Sequence, residues 1–287
     1  MTPLPRPPAW AEPLPEAHPP AGMTVHHLPT GTYETRAALA VRGGSFRDKR
    51  QFAASAVLVR HPHGDLLIDA GFGAHVAEHV SMLPRLVRAP YRAGRTAGDQ
   101  LDAAGHARDR LRGVLLTHSH WDHSSGLDRL PGTPIWMNAA ERLYAATDPD
   151  GKVFRRVAQG HEVHEYGFDN HPYLGFPASF DVYGDGSVVV VPAGGHTTGS
   201  VIVFVAPPTG PRYAFIGDLT WQLDGIRRRV ERPWLLSRLA DSDRRQLRQD
   251  LLRIIALDGL MRIVPAHDLG SYDGVPLLTP DVATHPA

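Results

Sequence analysis

Cysteine is absent from the 287 residues of this chain. Disulfide staples, thiolate metal sites and thiol nucleophiles are therefore excluded. Any metal must be held by imidazole and carboxylate, a donor set that suits zinc, iron, manganese or nickel. An excess of one charge sign is also missing, because 30 basic residues balance 30 acidic ones. That balance argues against the long cationic footprint of a nucleic-acid partner. No apolar run reaches the ~18 residues that a membrane span needs. The first twenty residues, MTPLPRPPAWAEPLPEAHPP, hold no apolar stretch of signal-peptide length. These absences lead to the expectation of a cytoplasmic, globular protein.

What is abundant is proline at the start and histidine throughout. Eight of the first twenty residues are proline, and the chain has 17 histidines. The proline density gives an extended, semi-rigid segment rather than a packed element. Residues 1–22 are expected as a flexible Pro-rich arm, either a free tail or a strap across the partner in a homodimer. Residues 23–287 are expected as one domain.

AASAVLVR (53–60) and DLLIDAG (65–71) are strand-like runs separated by HPHG, with Gly64 as the turn residue of a hairpin. GVLLT (113–117) and TPIWMN (133–138) read as short buried strands. ASFDVYGDGSVVVVP (178–192) reads as two strands around Asp185-Gly186, and SVIVFVAPPTGPRYAFIGD (200–218) repeats the pattern. A helix is expected over 241–259, where Leu247, Leu251, Ile254 and Ile255 recur at helical spacing. Asp241 or Ser242 would cap it and Gly259 would end it. A weaker helix is expected over 99–111. The order of strands and helices points to an α/β (α+β) protein, a mixed sheet with helices on its outer faces.

His118, His120, Asp122 and His123 crowd into THSHWDH (117–123) at the end of the strand 113–117. Side chains 118 and 120 can turn toward one point, and 122 and 123 toward a second nearby. Zinc takes three or four N or O ligands at about 2.0–2.2 Å, so this run completes neither site alone. Three distant strand ends offer the remainder. VVVVPAGGHTTGS places His196 in a Gly-rich loop, YAFIGD places Asp218 and RIVPAHD places His267. Strand ends that deliver ligand types to one rim make a binding-site layout.

H-x-H-x-D-H, then a His in a Gly-rich loop, an Asp after a strand and a late His, with DLLIDAG upstream, resembles the metallo-β-lactamase superfamily over about residues 50–270. The resemblance implies a four-layer αββα sandwich with its site at the sheet edges. It assigns His118, His120 and His196 to one metal, and Asp122, His123 and His267 to a second. Asp218 would bridge the two, and Asp69 would orient a ligand histidine.

Two metals about 3.5–4 Å apart can hold one water between them and lower its pKa toward about 7. The implied chemistry is hydrolysis of an ester-like bond by a metal-bridging hydroxide, with Asp122 and Asp218 as catalytic carboxylates. Asp122 would carry a proton to the leaving group. Two zinc ions are the expected cofactors, with iron, manganese or nickel as alternatives. The pattern most resembles the N-acyl homoserine lactonase-like branch, in overall length, in the spacing from His196 to Asp218 and in the long segment 72–112. One departure stands out. Those lactonases carry a Tyr three residues after the bridging Asp, whereas DLTW puts Trp221 there. An indole N–H donates a hydrogen bond but is not an acid like a phenol.

The expected substrate is a small lactone or related carboxylic ester. A phosphotriester or phosphodiester hydrolase on the same site, a mononuclear iron oxygenase of the same fold and a non-catalytic metal-holding protein are the alternatives. Trp221 and Trp234, within WQLDGIRRRVERPWLLSRL (221–239), are candidate pocket residues, with ordinary packing as the other reading. Arg85, Arg88, Arg92 and Arg95, in 81–95, form a solvated basic face, a lid, a dimer contact or a grip for an anionic substrate. His75 and His79 are expected on a solvated helix face, and His161 and His164 on the surface or a strand.

Overall fold

The computed structural model describes residues 3–279, so the outermost residues of the expected arm and domain, 1–2 and 280–287, lie outside the described residues. Alternation within the apolar strands sets the architecture. In β2 (Lys49–Arg60), Val57 and Val59 belong to one buried cluster and Leu58 to another. A strand buried on both faces needs a packed layer on each side.

Seven strands make the first sheet: β1 (Thr24–Arg36), β2, β3 (Asp65–Ile68), β4 (Tyr91–Ala93), β5 (Leu111–Leu115), β6 (Ile135–Asn138) and β7 (Val163–Tyr166). Their order is β4-β1-β2-β3-β5-β6-β7. The expected hairpin joins β2 to β3, and β3, β5, β6 and β7 run parallel. The second sheet has β8 (Phe180–Asp181), β9 (Val188–Pro192), β10 (Val201–Val205), β11 (Tyr213–Phe215) and β12 (Arg262–Val264), in the order β12-β11-β10-β9-β8. β11 and β12 pair in parallel and the other neighbours antiparallel.

The helices are α1 (Ala37–Ala40), α2 (Val76–Ser81), α3 (Ala97–Ala103), α4 (Trp121–Ser124), α5 (Ala139–Thr147), α6 (Lys152–Val157), α7 (Asp224–Arg227), α8 (Trp234–Ala240) and α9 (Arg244–Ala256). Between the sheets, Val57, Val59, Leu66, Ile68 and Leu115 meet Val190, Val201, Val203 and Phe215. On the outer face of the first sheet, Leu58, Leu67, Val114 and Ile135 pack with Leu101, Ala145 and Val153 of α3, α5 and α6. On the outer face of the second, Val191, Ile202, Phe204 and Ala214 pack with Leu247, Leu251 and Ile254 of α9. The result is a four-layer α/β sandwich. Each buried Leu or Ile of α9 contributes about 1.5–3 kcal/mol, and together they fix the helix to the sheet. No helix among the described residues is long and apolar enough to cross a membrane.

Several expected boundaries shift for physical reasons. The helix expected over 99–111 ends at Ala103, with Gly105 beyond it at φ +70° and a 3₁₀ turn (Arg108–Arg110) leading into β5. The helix expected over 241–259 starts at Arg244, because Asp243 caps it by accepting from the Arg245 and Gln246 N–H groups. Asp241 is engaged elsewhere, as described below. Residues 3–22, expected as a flexible arm, lie extended against the second sheet's outer layer. Leu4 is buried there beside Phe176, with Trp10 and Leu14 against the same cluster. The Leu4 N–H donates to the Arg229 carbonyl at 2.7 Å and the Trp10 N–H to the Ala256 carbonyl at 2.9 Å. Of the basic segment 81–95, residues 91–93 form β4 on the edge of β1. His79, expected on a solvated face, is buried with its Nδ1 2.7 Å from Ser125 Oγ, whereas His75 is exposed and faces Asp128. His164 lies on β7, and His161 Nδ1 donates to the Thr133 carbonyl.

Candidate metal centre

Five strand ends converge on one rim. The chain leaves β3 at Asp69, which takes a left-handed backbone (φ 55°) that a non-glycine residue adopts only when its surroundings hold it there. Its carboxylate provides that hold, accepting from the Thr117 N–H (2.7 Å) and the Thr117 hydroxyl (2.9 Å) and facing His123 Nδ1 at 2.8 Å. β5 ends at Leu115 and delivers His118 and His120 in a loop; Asp122 and His123 follow on the first turn of α4. His196, Asp218 and His267 follow β9, β11 and β12 respectively.

The seven residues come together as three overlapping groups: His118, His120 and His196; His118, His123 and Asp218; Asp122, His123 and His267. Within each group the candidate ligand atoms lie within 4.8 Å of one another. Asp218 stands between them. Its Oδ2 is 3.3 Å from His196 Nε2 and 3.9 Å from His118 Nε2, and its Oδ1 is 3.4 Å from His123 Nε2 and 3.0 Å from His267 Nε2. Asp122 Oδ2 lies 3.5 Å from His267 Nε2.

The outward nitrogens are tied down, which sets the inward ones free. His123 Nδ1 meets Asp69, His196 Nδ1 meets Asp241 Oδ1 at 3.0 Å, and His267 Nδ1 donates to the Ala53 carbonyl at 2.7 Å. A ring that donates through Nδ1 keeps Nε2 as a lone-pair donor. His120 is turned the other way, with Nε2 3.0 Å from the Tyr144 hydroxyl and Nδ1 2.9 Å from His196 Nε2. The inner atoms are left without partners. His118 Nε2, His123 Nε2 and Asp218 Oδ1 are buried with no hydrogen-bond partner. Orphaned lone pairs of this kind are costly unless something satisfies them, and the imidazole–carboxylate set fits a divalent cation.

The electrostatics agree. Burial, with the neighbouring His123 and His120, pushes His118 well below the ordinary imidazole range. Burial, with His196 beside it, lowers His120 to about 4, so both rings are neutral at pH 7 and free to ligate a cation. Burial opposes charge on His123 too, but Asp69 and Asp218 outweigh it and raise that ring well above its usual value. Carboxylates that draw a proton onto a ring draw a metal cation by the same force.

Several residues that make the site work carry no local sequence signal. Glu141, at the start of α5, accepts from the Ser119 N–H (2.7 Å), the Ser119 hydroxyl (2.6 Å) and the Thr197 hydroxyl (2.5 Å). It thereby ties the His118–His120 loop to the His196 loop. Asp241, a helix-cap candidate on sequence, instead orients His196 and pairs with the buried Arg232. Arg232 also donates to the Asp218 carbonyl and lies 4.5 Å over the Trp221 ring. Tyr33 reaches in from β1, donating to Asp122 Oδ2 at 2.9 Å.

Of the two candidate pocket tryptophans, Trp221 meets the site, donating its indole N–H to Asp218 Oδ2 at 2.7 Å. Trp234 does not. As the first residue of α8 after Pro233 it projects outward, and it lines a surface cavity with Arg42, Glu231 and the α9 residues Arg244, Arg245 and Arg248. Other rings pack beside the candidate ligands. Phe52 stacks on His267 with centroids 5.3 Å apart, and Trp121 stacks on Phe72 at 5.3 Å.

Known proteins share sequence and fold with this chain. A probable metallo-hydrolase of Mycobacterium tuberculosis is 29% identical over 276 residues, covering 90% of this chain and 84% of its own length. The N-acyl homoserine lactonase AttM of Rhizobium johnstonii is 27% identical over 222 residues, 75% of this chain and 81% of its own. Among solved structures, an N-acyl homoserine lactone hydrolase with its product N-hexanoyl-L-homoserine at the catalytic metal centre superposes with a TM-score of 0.67 at 16% identity. That superposition covers 88% of this chain and 96% of the other. The dizinc quorum-quenching lactonase AidC gives a TM-score of 0.55 at 14% identity, over 86% and 88% of the two chains. The family model for the metallo-beta-lactamase superfamily matches residues 50–267, from the start of β2 to His267, and the chain belongs to that superfamily as a metal-dependent hydrolase.

Proposed function

We propose that this hydrolase opens lactones or related carboxylic esters at a dinuclear centre, with zinc as the metal. One observation carries the reading. The two oxygens of Asp218 face different imidazole groups, Oδ2 toward His118 and His196 and Oδ1 toward His123 and His267. A carboxylate so placed between two sets of donors would be within reach of a cation on either side. His118, His120 and His196 then hold one ion, and Asp122, His123 and His267 the other. Asp69 and Asp241 hold the rings of His123 and His196 in the ligating tautomer. AttM and AidC, both named as lactonases and the second as dizinc, support the lactone and the zinc.

When bound, such a pair of ions polarises the ester carbonyl and lowers the pKa of an attacking water toward about 7. The chain's own groups do the rest. Asp122 accepts a proton from the water and returns it to the leaving alkoxide, acting from a position that the Tyr33 hydrogen bond fixes. Trp221 holds Asp218 in place by its indole N–H. Phe52, buried and stacked on His267, and Trp121, half-buried and stacked on Phe72, pack beside the site and shield it from bulk water.

Elemental analysis and a pH-indicator hydrolysis panel test the proposal on purified, zinc-loaded protein. The panel holds short- and long-acyl lactones, an aryl ester, a phosphodiester and a phosphotriester, with Asp218→Ala as control. Two zincs per chain are expected, with lactone turnover that falls about 100-fold or more in the control. Phosphoester turnover without ester turnover, or one iron per chain with no hydrolysis at all, would refute the reading.

A further inference from the structure

Tyr33 is aimed at the metal centre by an irregularity in β1. The β1–β2 ladder pairs Pro29 with Ser55 and then Gly31 with Ala54, leaving Thr30 as an extra residue. A one-residue bulge reverses which side chains face inward from that point on. With a regular ladder Thr32 would oppose Phe52; with the bulge Tyr33 does. The bulge is built in. The Thr30 hydroxyl donates to the Ala54 carbonyl at 2.9 Å and accepts from the Phe72 N–H at 2.8 Å. A Cβ at Gly31 would lie 2.6 Å from both the Arg92 carbonyl and the Phe72 ring, so no other residue fits at that step without a shift.

The ring that arrives there is held on several sides. Tyr33 sits edge-on to Phe52 (5.2 Å) and to His267 (5.5 Å), and tilts against Trp121 at 5.8 Å. Its hydroxyl donates to Asp122 Oδ2 at 2.9 Å and is 3.4 Å from His267 Nε2. Trp221 does the same for the other carboxylate, donating to Asp218 Oδ2, and it packs on the far side of the unit against Phe52 at 5.7 Å. Both carboxylates of the ligand set are therefore clamped by an aromatic donor, and Phe52, stacked on His267, joins the two clamps.

We propose that Tyr33 is a positioning residue of the metal centre, whose phenol fixes the Asp122 carboxylate against His267 and so sets both the affinity of the second metal position and the geometry of proton transfer. This rests on the assignment of Asp122 as ligand and proton carrier given above. A partner of this kind, hydrogen-bonded to a ligating carboxylate, is worth about 10–100-fold in metal affinity or activity. A residue that only filled space would leave both untouched when its hydroxyl alone is removed.

The test compares wild type with Tyr33→Phe, which keeps the ring and its packing and deletes the hydroxyl. Metal-free protein is titrated with zinc against a chromophoric chelator, and ester turnover is followed in parallel. The expected result is one of the two zinc steps weakened about 10–100-fold with the other unchanged, and kcat lowered by a similar factor with KM within about threefold. Thr30→Val provides a second route should Tyr33→Phe fold poorly. It leaves the hydroxyl but unpins the bulge, and it should weaken the same zinc step to a smaller degree. Zinc steps within about twofold of wild type in Tyr33→Phe, or in Thr30→Val where Tyr33→Phe does not fold, would overturn the inference. The zinc titration decides this even if no ester in the panel is turned over, so failure of the substrate assignment and failure of the Tyr33 role are separable.

Discussion

Removing Arg232 should cost stability more than it costs zinc binding. Arg232 is 4% exposed; its guanidinium pairs with the buried carboxylate of Asp241, lies 2.9 Å from His196 Nδ1, donates to the carbonyls of Asp218 and Leu219, and covers the Trp221 ring. Burial pushes the Asp241 carboxyl up, but Arg232 and His196 outweigh it and hold it below the usual range, so it is charged at neutral pH. In Arg232→Met that charge stays buried with His196 and Ser237 as its remaining partners. Breaking a buried pair from one side costs about 3–5 kcal/mol, because the desolvated partner is left uncompensated. At about 2–3 °C per kcal/mol for a domain of this size, the melting temperature should fall by roughly 6–15 °C. The assay is urea denaturation of metal-free protein in chelator, so that metal linkage does not enter. The double variant Arg232→Met, Asp241→Leu should regain about half of the loss or more, since an apolar pair tolerates the site that a lone charge does not. Zinc binding should divide differently. Arg232→Met keeps the Asp241 contact to His196 but removes the Arg232 contact to the same Nδ1 and the bond to the Asp218 carbonyl, so zinc binding should weaken, though by less than the about 10–100-fold expected of Asp241→Asn. A cost below about 1 kcal/mol for Arg232→Met, or no recovery in the double variant, would refute the account of Arg232 as the counter-charge of Asp241.

Two further outcomes follow from the same geometry. Gly199→Ala would place a Cβ 2.0 Å from the Glu141 backbone nitrogen; it should destabilise by about 1–3 kcal/mol and, by shifting Glu141, weaken zinc at the His118, His120 and His196 position. Urea midpoints and the zinc titration check both effects, and an Ala variant within about 0.5 kcal/mol of wild type would contradict the close approach. Acid should destabilise the fold through His27, whose ring is stacked on Tyr272 and whose pKa burial lowers from 6.5 to about 4. Above pH 6.5 neither state binds the proton. Between 6.5 and about 4 only the unfolded chain does, so stability falls as pH falls, by ~3 kcal/mol in all, and levels off once the folded ring also protonates. His27→Gln should show a shallower loss over that window in metal-free protein, and an identical slope would count against the buried neutral ring.

Much of this protein is legible in its sequence. The near-continuous apolar runs AASAVLVR (53–60) and VVVV (188–191) require strands packed on both faces, and the stripe of Leu247, Leu251 and Ile254 requires a helix against a sheet. The ligand types are legible too. Without cysteine, the chain can hold a metal only by imidazole and carboxylate, and His118, His120, Asp122, His123, His196, Asp218 and His267 each sit just past an apolar run. The structure brings all seven together. Local sequence carries such information because alternation and turn chemistry act over a few residues.

The residues that hold those ligands in place were decided by tertiary structure alone. Tyr33 and Asp122 are 89 positions apart, and Glu141 and Thr197 are 56 apart. In sequence Tyr33 is an ordinary strand aromatic, Glu141 an ordinary acid in the first turn of a helix, and Asp241 a plausible cap. Trp234, with no less apolar a neighbourhood than Trp221, ends on the surface because α8 begins there and turns its first residue outward. Which polar group answers a buried histidine depends on how two sheets, a bulge at Thr30 and a helix start happen to be superposed. That superposition is set by the packing of the whole core, and no local stretch of the chain encodes it.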